Sequence, residues 1–334
     1  MAKKNAKPAS EDSLIKLFKT RYPATGPLIR KGIGDDAAVV RLPKAQEYWV
    51  ITSDMLVEGI DFHRDWISAR LLGRKSISAN LSDLAAMGAR PRFFTISLAI
   101  TPDIPKRWIL DFHDGLTEKA GAFGAQLVGG DLSNAKAHIA ISITAIGESL
   151  NRKVVYRSGG NPGNLLYVTG TLGCSSAGLM LLQKQQTRGP HCAEALRAHR
   201  DPEPRCDAGE WLSQSGLVSC MMDLSDGLST DLPRICAASG VGAEIRMQDL
   251  PIFKESALWG CNPIELALHG GEDYELLFSV PRSKAGRLET SYPSKFPPIT
   301  CVGRLTADRG KIWITSQNGQ RSPLPRYGWD HFKP

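Results

Sequence analysis

The sequence predicts two α+β domains, and three observations lead to that expectation. Strand-like and helix-like patterns occur together in both halves of the chain, without the strict alternation of a doubly wound sheet. A glycine- and proline-containing break at 151–164, NRKVVYRSGGNPGN, separates the halves. The 334 residues suffice for each half to bury a core of its own. The expected organisation is a flexible basic tail and first helix over 1–27, an N-terminal domain over 28–150, a linker over 151–164 and a C-terminal domain over 165–334.

The polar, basic start MAKKNAKPASEDS leads into a helix over 10–21, with Ser10 or Asp12 placed to cap it and Leu14, Ile15 and Phe18 at helical spacing. Strand patterns follow over 36–42, 47–57, 90–100, 125–130 and 138–149. Two helical patterns lie among them. One runs from about Ser68 to Met87 and stops before Gly88 and Pro91; the other, from about Pro105 to Phe123, has proline in its first turn. The second half opens with the strand LLYVTG, a glycine-containing turn and a helix over 175–185. Residues 187–204 are rich in proline and charge and read as a surface connection. The segments VSCMMDLS, GAEIRM, YELLFSV, ITCVGRL and KIWITSQ supply the remaining strands.

Composition narrows the function classes. No run approaches the roughly 18 apolar residues of a membrane span, so no membrane partner is expected. The N-terminus lacks the apolar stretch of a signal peptide, which makes a cytoplasmic location the default expectation. The seven cysteines form no CxxC pair and all follow residue 173, against a disulfide framework or zinc site. The net charge of +7 is spread along the chain and suits an anionic small molecule. No basic stripe interleaved with aromatics points to nucleic acid.

Six segments share one format, an acidic residue beside Gly, Ser or Thr at the end of an apolar strand or the edge of a helix. They are GIGDDAAVV, ITSDMLVEG, NLSDLAAMGA, LVGGDLS, MMDLSDGLSTDL and HGGEDYELLF. Each has a plain structural explanation. Asp35 suits an Asx-turn. Ser82 or Asp83 suits the cap of a short LAAMGA helix, and Ser229 the cap of the helix containing Pro233. Six such sites exceed what turns require. Carboxylates gathered at one edge repel unless cations sit among them, and hard oxygen donors suit Mg²⁺, which bridges carboxylates to substrate phosphates. A Walker loop, a combined HRD and DFG set and an HExxH motif are absent. A phosphoryl-transfer enzyme without them holds phosphates through metal ions and basic residues.

In order and approximate spacing, GIGDDAAVV, DMLVEG, NLSDLAAMGA, GGDLS, DLSDGL and GGEDYELLF resemble the thiamine-monophosphate kinase family, within the aminoimidazole-ribonucleotide-synthetase-like superfamily. The resemblance extends from about Gly32 to Phe332. It implies transfer of the γ-phosphoryl of ATP to thiamine phosphate, giving thiamine diphosphate. It also implies a homodimer whose N-terminal sheets pair across the interface. Carried over by position, Asp36, Thr52, Ser53, Asp54, Asp83, Asp131, Asp223 and Asp226 match metal-binding positions. Gly130, Asp131, Arg157 and Ser225 match nucleotide contacts, and Glu272 and Trp329 match substrate contacts.

Two departures from the family pattern stand out. Asp61 takes the place of a histidine common at a substrate-contacting position, with His63 two residues on; in an extended segment the two would share a face. His113 stands where a nucleotide-contacting tyrosine is common, and its ring can still stack. Two other readings are compatible with the residues: another ATP-using reaction of the superfamily, or a non-catalytic Mg–nucleotide sensor. The absence of cysteine before Cys174 disfavours selenophosphate synthesis, and the complete acidic set disfavours the sensor.

Overall fold

Alternating apolar residues build the first sheet, and near-continuous apolar runs build one side of the second. A computed structural model describes residues 11–24, 26–325 and 327–328. The first half contains α1 (Glu11–Arg21), β1 (Ile29–Lys31), β2 (Ala38–Val40), β3 (Trp49–Val57), α2 (Ala69–Ala86), β4 (Arg90–Ile100), α3 (Lys106–Ala122), β5 (Gln126–Asn134) and β6 (Ala140–Glu148). The second begins with β7 (Leu165–Thr169), α4 (Cys174–Gln183), α5 (Cys192–Arg200), α6 (Cys206–Ser215), β8 (Cys220–Leu224) and α7 (Leu228–Ser239). It ends with β9 (Gly242–Arg246), α8 (Pro263–His269), β10 (Glu275–Val280), α9 (Arg282–Ser291), β11 (Ile299–Thr306), β12 (Ile312–Thr315) and β13 (Arg321–Pro323), two 3-10 turns lying between β9 and α8.

The first sheet has the order β1-β2-β3-β6-β4-β5, antiparallel except for the parallel pair β4–β5. In β6 every second residue is buried, so Ile141, Ile143 and Ala145 face the core while their neighbours do not. Helices α2 and α3 cover that face. They cross where a Cβ on Gly73 would lie 2.0 Å from the Phe112 carbonyl oxygen, and one on Gly115 only 1.9 Å from that of Arg70. Glycine is required at both places for the backbones to meet. The second sheet has the order β13-β12-β9-β11-β7-β10-β8, antiparallel except for β9–β12.

The halves do not bury separate cores. On β10, Leu276, Phe278 and Val280 join the cluster that holds Ile143, Phe94 and Leu81 of the first half, while Leu277 joins a second cluster with Leu232 and Ile235 of α7. Strands β7, β10 and β8 of the second sheet are therefore covered on both faces, which is why they read as nearly unbroken apolar runs. The segment 151–164 is stitched in place: Val155 N–H donates to Met87 O at 3.2 Å, and Met221 N–H to Tyr156 O at 3.0 Å.

Four readings need correction. Residues 187–204 include the helix α5, whose Cys192, Ala195, Leu196 and His199 are buried at helical spacing beneath a charged outer face. Ser82 and Asp83 lie inside α2, which runs on without a new start at LAAMGA, so neither is a cap. Ser229 sits within α7, whose cap position is Gly227, and its hydroxyl meets His269 Nδ1 at 2.8 Å. Residues 58–61 turn, so Asp61 and His63 do not share a strand face. The expected cap Ser10 and the expected substrate contact Trp329 lie outside the described residues.

Candidate active site

A cleft of about 1170 Å³ runs between the two halves. Period two along β3 puts Thr52 and Asp54 on its helix-covered face. On α2, Lys75, Ala79 and Asp83 recur every fourth residue and form one stripe along the cleft. Asp36 comes from the loop before β2, Asp223 from β8, and Ser225 and Asp226 from the turn before α7.

One oxygen each from Asp36, Asp83 and Asp223 lies within 4.8 Å of the others. Asp36 is 6% and Asp223 2% exposed. At such a spacing like charges repel by on the order of 3 kcal/mol per pair at an effective dielectric constant of about 20. The surroundings only partly answer this. Arg157 Nη2 donates to Asp36 Oδ1 at 2.6 Å, Ser82 Oγ to Asp223 Oδ2 at 2.6 Å, and the Thr52 hydroxyl to Asp83. Asp36 Oδ2 is buried without a hydrogen-bond partner. Burial, then the neighbouring carboxylates, push Asp83 well above the usual range, and burial and Asp36 push Asp223 up to about 7. Asp54 rises to about 6 through burial and the charges of Asp226 and Asp61. A cation removes all of these penalties at once, and an all-oxygen set with an orphaned buried carboxylate atom fits Mg²⁺.

Residues 34–149 match the AIR synthase related protein, N-terminal domain, and residues 161–314 the C-terminal domain of the same family. The chain is 38% identical over 331 residues to the thiamine-monophosphate kinase of Escherichia coli (strain K12), covering 96% of this chain and 98% of that protein. The chain belongs to the thiamine-monophosphate kinase family. A further member, from Bacillus subtilis (strain 168), is 32% identical over 310 residues, covering 90% of this chain and 93% of its own. Among solved structures, AaThiL complexed with AMPPCP and TMP matches with a TM-score of 0.84 at 32% identity, covering 99% of both chains. The hydrogenase maturation protein HypE in complex with ATP matches with a TM-score of 0.67 at 17% identity, covering 92% of each chain, a likeness of fold alone.

A single chain of this thiamine-monophosphate kinase family member does not gather the whole predicted set. The cleft takes in Asp36, Thr52, Ser53, Asp54, Asp61, Asp83, Arg157, Asp223, Ser225, Asp226 and Glu272. Asp131 is elsewhere. Across the sheet, Asp54, Ile143, Ile96 and Gly130 form one row, and Met55, Ser142, Ser97 and Asp131 the next. Adjacent rows face opposite ways, so Asp131 lies on the sheet's open face and about 14 Å from β3, three strand spacings away. The Ser53 hydroxyl also turns to that face, meeting Thr144 Oγ1 at 3.2 Å. His113 Nδ1 lies 2.9 Å from Ile109 O on its own helix, outside the cleft.

Other site residues are already engaged. Asp226 Oδ2 accepts from Arg234 Nη1 at 2.5 Å. Asp61 Oδ2 accepts from the Val57 N–H at 2.7 Å, closing the turn after β3. Asp273, beside Glu272, accepts from the N–H groups of Gly173 (2.7 Å) and Ser175 (3.1 Å) and so caps α4. Asp35 accepts from the Arg157 N–H at 3.0 Å and ties the 151–164 segment to the loop before β2. Sequence reasoning missed Lys75, His199 and Arg234, all in the cleft wall. Only the eight-residue spacing of Lys75 and Asp83 on one helix stripe carried a signal for any of them.

Proposed function

We propose that this protein transfers the γ-phosphoryl group of ATP to the phosphate of thiamine phosphate, giving thiamine diphosphate. The observation that carries this reading is the Asp36–Asp83–Asp223 cluster within 4.8 Å beside the guanidinium of Arg157, in a cleft wide enough for two substrates. The identity to thiamine-monophosphate kinases over nearly the whole chain supports the choice of acceptor.

Asp36, Asp83 and Asp223, with Thr52, Asp54 and Asp226 alongside, would hold Mg²⁺. When bound, Mg²⁺ neutralises charge on the triphosphate. Arg157, drawn to Asp36 here, is placed to pair with a phosphate oxygen as charge shifts during transfer. A phosphate oxygen of the acceptor is ionised near neutral pH, so in-line attack requires positioning and no strong general base. The bond from the acceptor oxygen to the γ-phosphorus forms as the bond to the β–γ bridging oxygen of ATP breaks, and ADP leaves.

A homodimer belongs to this reading. Strand β5 ends the sheet and is exposed along its length, with Leu132 65% and Val128 58% exposed. An unpaired apolar edge of this kind invites a second copy. Pairing there would let Asp131, Gly130 and His113 serve the cleft of that copy.

An assay of ADP release with thiamine phosphate, thiamine and hydroxymethylpyrimidine phosphate side by side tests the proposal. Turnover with thiamine phosphate far above the other two supports it. Tight ATP binding with no acceptor-dependent ADP release overturns it in favour of a nucleotide sensor.

A further inference from the structure

A second cluster of charged groups lies in the cleft wall, apart from the acidic one. Lys75 Nζ is 2.8 Å from Glu272 Oε1, and its side chain is only 1% exposed. His199 Nδ1 is 3.2 Å from Glu272 Oε2, and His199 Nε2 is 3.5 Å from Lys75 Nζ. Ser175 Oγ stands 3.3 Å from His199 Nδ1. The three come from α2, from α5 and from the loop before β10, so the triangle closes across the seam between the halves. One tautomer serves both charged partners: a neutral imidazole donates from Nδ1 to Glu272 while its Nε2 lone pair faces the Lys75 ammonium.

Glu272 is held unusually firmly. Its N–H donates to Ser225 O at 2.7 Å, and its backbone adopts φ 63°, a region that glutamate rarely occupies. Burial pushes its carboxyl up, but the Lys75 charge and the His199 contact more than reverse this and hold it at about 2. Burial and the Lys75 charge push His199 down, in keeping with a neutral ring. The other titratable neighbours are Asp273, which burial raises to about 7, and Tyr274 on the same segment, and Arg200 beyond His199. About a quarter of the Glu272 side chain remains open to the cleft, at 26%. A carboxylate has roughly four lone-pair sites, so two remain after Lys75 and His199 are served.

We propose that Lys75 and His199 are positioning residues that hold Glu272 as a fixed, ionised acceptor for the N–H edge of a flat, amidine-like heteroaromatic group on the substrate. The identity of that group, the aminopyrimidine of thiamine phosphate, rests on the function proposed above. The triangle explains why a lysine is kept dry inside a helix of small residues, where it makes no contact with the acidic cluster.

The test uses full-length Lys75→Met, Lys75→Arg and His199→Gln proteins, with kcat and KM measured for each substrate between pH 5.5 and 9. Lys75→Met is expected to raise the KM for thiamine phosphate at least tenfold and leave that for ATP within twofold. A buried carboxyl without its cation keeps its proton to higher pH. The variant's kcat/KM for thiamine phosphate therefore falls more steeply below about pH 7 than the native enzyme's, beyond the acidic limb that the raised Asp54 and Asp223 give both proteins. Lys75→Arg restores the native profile in part, and His199→Gln raises the same KM severalfold. Equal losses for both substrates with an unchanged pH profile overturn the proposal, as does an unaffected KM in His199→Gln should Lys75→Met fail to fold. Carbon-13 NMR of glutamate-labelled protein separates this from the functional reading, with the Glu272 carboxyl assigned by its loss in Glu272→Gln. A carboxyl ionised at pH 4 in the native protein but protonated there in Lys75→Met supports the triangle even if thiamine phosphate is not the substrate. Identical titration in both overturns it.

Discussion

At the scale of single residues, the acidic cluster opposes stability, and the role proposed for it is binding of Mg²⁺. Asp83 accepts from the Thr52 hydroxyl, and a neutral asparagine oxygen can accept that bond as well. Asp83→Asn is therefore expected to melt as high as the native protein, or higher, when no metal is present, because a mutual repulsion has gone. Turnover is expected to drop by at least a hundredfold, and Asp54→Asn should behave alike. Thermal melts beside an ATP turnover assay decide this, and near-normal turnover in both variants would sink the metal-array reading. Most of these aspartates were legible in sequence because each sits in a short glycine- or serine-containing segment. Their local roles were not. Asp83 looks like a cap because Ser82 precedes it, yet the Ala, Ser and Gly residues of α2 let one helix run through the motif without interruption. The contact of Lys75 with His199 was invisible because 124 positions separate them and neither belongs to a motif.

At the scale of elements, α2 carries the cleft and α3 fixes α2. Their crossing depends on Gly115, where an added Cβ would sit 1.9 Å from the Arg70 carbonyl oxygen. Gly115→Ala should lower stability by about 1–3 kcal/mol, the usual range for overpacking. Denaturant unfolding measures this directly, and an unchanged midpoint would contradict the crossing. Apart from the three-residue β1, the elements of the first half were readable because half-exposed strands alternate and glycine or proline ends each helix. The strand β4 was legible to the residue as 90–100. Helix α5 was not, because its buried face consists of Cys192, Ala195, Leu196 and His199, a weak apolar stripe among charges and a neighbouring proline. Helices α8 and α9 are short and half-exposed, and their patterns are too brief to stand out.

At the scale of the whole molecule, two α+β units share a core and close a cleft lined with carboxylates from both. Ion pairs reinforce the seam: Arg90 with Glu210 at 2.7 Å and Arg74 with Asp201 at 2.8 Å. The carboxylates of Asp54 and Asp223, near 3.8 when free, rise to about 6 and about 7 in the fold. The folded state thus binds more protons than the unfolded chain between roughly pH 4 and pH 7, so stability without metal falls as pH rises through that window. Mg²⁺ should raise the melting temperature, and more at pH 8 than at pH 5. A Mg²⁺ effect that is larger at pH 5 would contradict the cluster as the binding site. The exposed β5 predicts a dimer by light scattering, and a charge placed at Leu132 should yield monomers with impaired turnover. Monomers of full activity would remove Asp131 from the site.

The central claim is that carboxylates from both halves hold Mg–ATP for transfer to thiamine phosphate. Phosphorus NMR of ATP and thiamine phosphate incubated with Mg²⁺ tests it most directly, comparing the native protein with Asp223→Asn. Native protein should yield ADP and thiamine diphosphate in equal amounts, and the folded variant almost none. Equal product from both proteins, or ADP without thiamine diphosphate from the native one, would contradict the account.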